Sequence, residues 1–250
     1  MTLAQRQYDL SALMDVAALI LQRDPGKVQG VLEALRLMEA ATYRSLATAA
    51  INTAITYVVD AANTLINSKF SQSALQRFGG RIMNSLKQTA NELLDLGWHA
   101  GGGQGDAPGE IVSDYLKAQQ DFLATWITDI EDAKQLVGGV YRAQMYAQSL
   151  EQVYQRAFMQ AKGQAVGLPD LPAYPRDFST RCGTNCYCAW SKIEKKSDTE
   201  YHATWLLRPA DHCEDCVRRS KDWNPLRIVL QEDGTWQFIA KSGPLETSND

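Results

Sequence analysis

All five cysteines of this 250-residue chain fall within one short segment, between positions 182 and 216. They form two close-spaced groups, C-x3-C-x-C over 182–188 and C-x2-C over 213–216, on either side of residues 189–212. Two such groups flanking an insert of hairpin length allow thiolates to converge on one tetrahedral metal ion. The pattern therefore predicts a small module that is held together by its own cysteines.

Zinc is the predicted ion, because soft sulfur ligands favour it over hard cations, and its predicted role is structural. Five thiols exceed the four positions of a closed structural site, so at least one is spare, and more are spare if His212 replaces a sulfur. The C-x2-C pair resembles one arm of a zinc ribbon and is expected to be joined by two of the other three. The candidate ligands are Cys182, Cys186, Cys188, Cys213 and Cys216.

Two disulfides with one free thiol, or simply buried cysteines, are the alternatives to a metal site. A protein made in a reducing cytoplasm keeps disulfides only if it later meets an oxidising medium. A metal site or disulfide bonds would each stabilise a module of about 70 residues, because domains of that size have small cores and commonly need a cross-link.

The first 164 residues read as helix almost throughout, because apolar residues recur every three or four positions and prolines are confined to Pro25 and Pro108. We predict a helical region over 1–100 that begins with an amphipathic helix, a flexible Gly-rich joint over 101–109, and a helical hairpin over 110–164. The hairpin connection is expected at 131–135.

Two apolar patterns support this division. One is an apolar stripe over 31–65, the first stripe, and Gly79-Gly80 interrupts the pattern that follows it. The other is the set of aromatic residues in 110–164, which we expect to pack in a core. The first stripe requires a partner surface and comprises Val31, Leu35, Met38, Leu46, Ile51, Ile55, Val58, Ala62 and Leu65.

The composition changes after the helical region. Three of the eight prolines fall in 167–177, which predicts a Pro-rich connector over 165–181. The Cys-clustered module over 182–240 is predicted to hold one β-hairpin over 186–208, a short helix over 211–223 capped near Asp211, and a second hairpin turning at 232–234. A flexible tail should follow over 241–250. The predicted fold is therefore mainly α, with a small C-terminal α+β, zinc-ribbon-like module of β-hairpins.

The net charge, the hydropathy and the lack of common catalytic motifs each argue against a class of function. The formal net charge is −4 and no segment is strongly basic. No window approaches the roughly 18 uninterrupted apolar residues of a membrane-spanning helix, so a soluble protein made in the cytoplasm is expected. The chain has three histidines and lacks HExxH, G-x-S-x-G and phosphate-loop motifs, so we expect no enzymatic activity.

The sequence runs 141–158, 167–190 and 203–228 resemble the C-terminal part of tailed-bacteriophage minor head proteins, also called head-morphogenesis proteins. That family commonly shows an NCxC and an HCxxC element close together, and here they occupy 185–188 and 212–216. The resemblance covers about residues 110–230. The two elements stand here in the reverse of the commoner order, and Cys182 stands near NCxC where the family usually has a histidine.

The resemblance implies a virion protein that is made in the host cytoplasm and acts in head assembly at the portal or inner capsid surface. Its implied partners are portal and capsid proteins, and it is expected to be homo-oligomeric or present in several copies. One alternative is a zinc module that binds nucleic acid during genome packaging or delivery, and another is a metal-dependent hydrolase with an open metal position. The DNA-contacting candidates are Arg218, Arg219 and Lys221 beside Trp223, with Lys192, Lys195 and Lys196.

Overall fold

A computed structural model describes residues 28–68, 70–177, 179–183 and 186–245 of the chain. The predicted amphipathic helix at the start of the chain and residues 246–250 of the predicted tail lie outside these ranges. The described chain is mainly helical and ends in a small antiparallel sheet, which confirms the predicted fold class.

In the part of the chain that the structure describes, five helices form the helical body. Helix α2 begins with a side-chain cap, because the hydroxyl of Ser71 accepts a hydrogen bond from the backbone N–H of Ala74. The helices are α1 (Val28–Ile66), α2 (Gln72–Ala100), α3 (Glu110–Ala133), α4 (Gly139–Ser149) and α5 (Glu151–Gln164).

Helix α2 is the centre of this body and packs against α1, α3 and α5, whereas α4 packs on α1. The predicted stripe on α1 does find a partner surface, because Val58, Ala62 and Leu65 are buried. Met38, nearer the start of the stripe, is 48% exposed, and the side chain of Val31 lies outside the described part. The largest fully buried apolar side chains of the core that these helices share are Ile82, Leu86, Leu93, Ile111, Trp126, Ile130 and Leu150.

Glycines on α2 let its neighbours approach closely rather than interrupt the helix. α2 runs unbroken through Gly79-Gly80, and a Cβ at Gly79 would lie 2.7 Å from Ile127 Cδ1 on α3. A Cβ at Gly97 would lie 2.5 Å from the carbonyl oxygen of Tyr154 on α5. Both glycines are therefore packing positions, and the interruption that we inferred at Gly79-Gly80 was wrong.

The segment 110–164 differs from the predicted two-helix hairpin. Its second half is divided at Leu150 into two helices, α4 and α5, which pack mainly on α1 and α2 rather than on α3. The Gly-rich segment that precedes α3 is irregular, and Gly103 lies against the ring of Trp98 so closely that a Cβ there would be 2.4 Å from it.

The C-terminal module contains one five-stranded antiparallel sheet in the order β1-β2-β3-β4-β5 and the helix α6 (Glu214–Asp222). Both predicted hairpins are confirmed, with Tyr201 paired to Lys195 in the first and Ile228 paired to Phe238 in the second. The strands are β1 (Ala189–Ser197), β2 (Glu200–Leu206), β3 (Leu226–Leu230), β4 (Trp236–Ala240) and β5 (Gly243–Pro244).

One boundary of the module differs from the prediction, and a second, the start of α6, lies at a residue near Asp211 as predicted. β5 pairs with β4 within the expected flexible tail, and the backbone N–H of Lys241 donates to the carbonyl oxygen of Asp222. The N-cap of α6 is Cys213, and no side chain caps this helix. The first half of the tail is thus part of the sheet, and a cysteine stands at the start of the helix.

A tryptophan cluster forms the centre of the module. The rings of Trp190 and Trp223 stack with centroids 5.9 Å apart, and Trp205 meets Trp190 edge-on at 5.1 Å. Met159 of α5 belongs to the same core, and β1 packs on α5. The module is therefore anchored on the helical body through α5. None of the described helices combines the length and hydropathy that crossing a membrane requires.

Candidate metal site

Local structure brings the two cysteine groups to one end of the sheet. Cys186 and Cys188 lie in the extended segment immediately before β1, while Cys213 is the N-cap of α6 and Cys216 lies in its first turn. Cys182 precedes them in the loop that follows the Pro-rich connector. Because α6 follows the first hairpin directly, its N-terminus returns to the place where β1 begins.

The five thiols converge as two triads that share Cys216. In the first triad, the Sγ atom of Cys182 lies 3.3 Å from the Sγ atoms of both Cys213 and Cys216. In the second triad, the Sγ atom of Cys186 lies 3.6 Å from that of Cys216, and Cys188 completes the group. Within each triad all sulfur atoms lie within 4.8 Å of one another.

These distances fit metal coordination rather than disulfide bonds. Sulfur atoms bound tetrahedrally to one zinc ion, at roughly 2.3 Å each, stand roughly 3.8 Å apart, whereas disulfide sulfurs are about 2.0 Å apart. All five cysteines are free thiols, and three of them, Cys186, Cys188 and Cys216, are buried. The cysteine groups are therefore close enough to bind a metal ion, and the described chain contains no disulfide.

Hydrogen bonding lowers the pKa of one thiol in each triad. The Cys188 thiol donates to Cys186 and lowers the pKa of Cys186 to about 5, and the same bond raises the pKa of Cys188. Burial raises the pKa of Cys216. Burial also acts to raise the pKa of Cys213, but hydrogen bonds, the first of them from backbone at Cys216, leave it lowered. Thiolates are the form that binds metal, so the cluster already supplies part of the required charge.

His212 offers a sixth donor beside the second triad. Its Nδ1 atom lies 3.7 Å from Cys188 Sγ, and its Nε2 atom lies 2.6 Å from the carbonyl oxygen of Arg208. A carbonyl only accepts hydrogen bonds, so Nε2 carries the proton and Nδ1 presents its lone pair towards the sulfurs. A histidine whose second nitrogen donates to a backbone carbonyl has the arrangement typical of metal-ligating histidines.

A polar clamp fixes the two cysteine arms relative to each other. The backbone N–H of Arg181 donates to Asp215 Oδ2 at 2.9 Å, and its side chain donates to Glu214 Oε2 at 2.9 Å. These bonds join the residue before Cys182 to the first turn of α6. Sequence reasoning missed this clamp, because no motif marks a pairing of ordinary charged residues that are more than thirty positions apart.

The basic residues on α6 that were predicted as DNA contacts are used largely within the module. The guanidinium of Arg219 lies 4.7 Å above the ring of Trp223, and Trp223 is buried in the core. Arg218 pairs with Asp215 at 3.1 Å, and Lys221 is exposed. Trp223 is therefore not available as a surface on which bases could stack.

The lysines of the first hairpin also have acidic neighbours. Lys195 pairs with Asp198 at 2.6 Å, and Lys196 pairs with Glu194 at 3.1 Å. The side chain of Lys192 lies outside the described part of the chain. Two of the three hairpin lysines are thus neutralised locally.

Comparison of the chain with protein-family models, with curated proteins and with solved structures gave no match. Any kinship with phage minor head proteins therefore depends on the sequence elements described above.

Proposed function

We propose that this chain is a structural protein of a tailed-phage virion, a minor head protein that acts in head assembly at the portal or inner capsid surface. The observation that carries the proposal is the convergence of the NCxC and HCxxC elements, the two features behind the resemblance, on one sulfur cluster. Elements that are separated in sequence but form one cluster are expected to have been retained together for one purpose.

The cluster would hold a structural zinc ion through four of the five cysteines. Zinc suits a site of thiolates and imidazole, and it would supply cross-linking of the two arms without redox chemistry. Cys216 is assigned to the ligand set because it belongs to both triads. The thiols stand in groups of three around Cys216; if four of them close around the ion, no coordination position is left for a substrate, as a structural role requires.

The helical body provides surfaces for assembly. It leaves several large apolar side chains exposed, among them Leu37 at 63%, Tyr141 at 61% and Phe122 at 44%. Where such side chains form a contiguous patch, they mark contacts with other subunits. The proposed role therefore combines the packing surfaces of the helical body with a rigid, metal-stabilised C-terminal module. Portal and capsid proteins are the proposed partners.

The direct test is the composition of phage particles. Proheads and mature virions of a phage that encodes this chain should both contain it when analysed by mass spectrometry, and deletion of its gene should reduce the yield of intact heads. Complementation with the wild-type gene should restore that yield, whereas complementation with Cys216→Ser should not.

The control for the complementation is Lys221→Ser, an exposed position on the same helix, which should restore heads as the wild type does. Absence of the chain from both proheads and mature virions would refute the structural role. Normal heads that lack only packaged DNA would instead support the nucleic-acid alternative.

A further inference from the structure

A cavity at the junction of the helical body and the C-terminal module has no cysteine among its described lining residues, although Arg176 and Arg208 in its wall contact Tyr187 and His212 of the cysteine-bearing segments. It has a volume of about 350 Å³ and opens between α1, the start of α5, the Pro-rich connector and the residues after β2. Its walls come from four segments that are distant in sequence. A junction of this kind is a common place for a ligand site.

The cavity carries an excess of positive charge. Among the described residues that line it, Arg44, Arg176 and Arg208 carry guanidinium groups and Glu151 carries the one carboxylate. Glu151 pairs with Arg176 at 3.0 Å and lies 3.6 Å from Arg208, so it neutralises one positive charge of the three. This local excess is opposite in sign to the net charge of the whole chain, which is −4.

Arg176 is held in the wall of the cavity by its burial, its backbone conformation and an aromatic neighbour. Its side chain is 6% exposed, and its backbone has a φ of +69°, a conformation that side-chain-bearing residues rarely adopt. The guanidinium lies 5.2 Å from the ring centroid of Tyr187, which holds it from one side. A buried arginine on a strained backbone indicates that its position serves a purpose beyond folding alone.

The wall on α1 carries both apolar and polar side chains. Ala47, Ile51 and Ile55 line it, with Thr48 and Asn52 between them. Arg44 stands one turn before this wall, and in the described part of the chain it makes no ion pair. The cavity therefore combines an excess of cationic groups with apolar side chains on α1, which suits a ligand with an anionic group attached to an apolar body.

We propose that this cavity binds an organic phosphate monoester. The phosphate would lie among Arg44, Arg176 and Arg208, and the apolar part of the ligand would lie against Ile51 and Ile55. Arginine suits this role, because its planar fork donates two hydrogen bonds to phosphate oxygens at once. This site goes beyond the structural role proposed above and does not depend on it.

Isothermal titration of the full-length protein tests the site, with phenyl phosphate as the probe and inorganic phosphate as the comparison. We expect one phenyl phosphate to bind per chain, about tenfold or more tighter than inorganic phosphate. Arg44→Gln should weaken the binding of phenyl phosphate by about tenfold or more, because a charge-assisted pair is lost. Arg44 is exposed, so this substitution leaves the core intact, and circular dichroism checks the fold.

Arg36→Gln is the matched control, because Arg36 is an exposed arginine on the same helix that does not line the cavity. It should leave binding unchanged. Three results would overturn the proposal: no binding of phenyl phosphate at millimolar concentration, equal weakening by Arg36→Gln and Arg44→Gln, or binding of inorganic phosphate as tight as that of phenyl phosphate.

Discussion

The Sγ atoms of Cys182 and Cys216 lie 3.3 Å apart, although one precedes the first hairpin and the other follows it. This contact closes the module, because it joins the end of the Pro-rich connector to the first turn of α6. Cys216 also contacts Cys186, so its sulfur atom links both Cys182 and Cys186 to α6.

The first prediction concerns metal loading. Purified protein should contain zinc, and Cys216→Ser should contain none, because either triad loses a ligand when this sulfur is removed. Chelation should unfold the module, since structural zinc supplies on the order of 10 kcal/mol of folding free energy. Atomic emission gives the metal content, and the fluorescence of Trp190, Trp205 and Trp223 reports the unfolding.

Lys221→Ser, on the exposed side of the same helix, is the control and should retain the full metal content. Wild-type protein that is isolated without metal, and whose cysteines are found as disulfides in a thiol assay, would contradict the prediction.

The second prediction concerns the close contact of α2 with α5. Gly97→Ala should lower the free energy of unfolding by about 1–3 kcal/mol, because the added Cβ would lie 2.5 Å from the carbonyl oxygen of Tyr154 and the helices must separate. Gly80→Ala, on the same helix with nothing within 4 Å of the added Cβ, should be neutral or stabilise by up to about 1 kcal/mol. Urea denaturation measures both, and equal effects would show that α2 and α5 do not pack in this way.

How much of the fold and of the site the sequence predicts depends on whether a feature is set by neighbouring residues or by residues that are distant in sequence. Cysteine spacing and strand alternation are local, so the cluster and both hairpins were predicted correctly. The partners of α1 depend on which of several apolar faces fits best, and the division of the chain at Leu150 was missed for that reason. The cationic cavity could not be predicted, because Arg44, Glu151 and Arg176 are ordinary charged residues until the fold brings them together.

The third prediction separates two neighbouring arginines on α6. Arg219 lies over the rings of Trp205 and Trp223 and donates hydrogen bonds to Ser179, so Arg219→Ala should destabilise the protein by about 1–2 kcal/mol. Arg218 makes only an exposed pair with Asp215 in the described structure, and Arg218→Ala should change stability by at most about 0.5 kcal/mol. Thermal denaturation compares the two variants, and a larger effect of Arg218→Ala would count against the packing role of Arg219.

The fourth prediction concerns acid stability and the carboxylate of Glu200 on β2. Arg227 and His202 each donate a hydrogen bond to it at 2.7 Å, and these bonds, that from Arg227 first, lower the pKa of Glu200 to about 2 from its ordinary value of 4.5. Because the folded-state pKa is the lower one, the stabilisation is fully present above pH 4.5 and is lost as the pH falls towards 2. Glu200→Gln should therefore be less stable than the wild type at pH 6.

The difference between the wild type and Glu200→Gln should be smaller at pH 3, since part of the wild-type advantage has been titrated away by then. Urea midpoints at the two pH values measure it, and acid effects on the cysteine cluster cancel because both proteins share that cluster. Glu232→Gln, at an exposed carboxylate in the turn between β3 and β4, makes a suitable control because Glu232 has no ion pair among the described residues. A gap between wild type and Glu200→Gln that stays constant from pH 6 to pH 3 would mean that the Arg227 and His202 contacts do not hold Glu200 in its charged form.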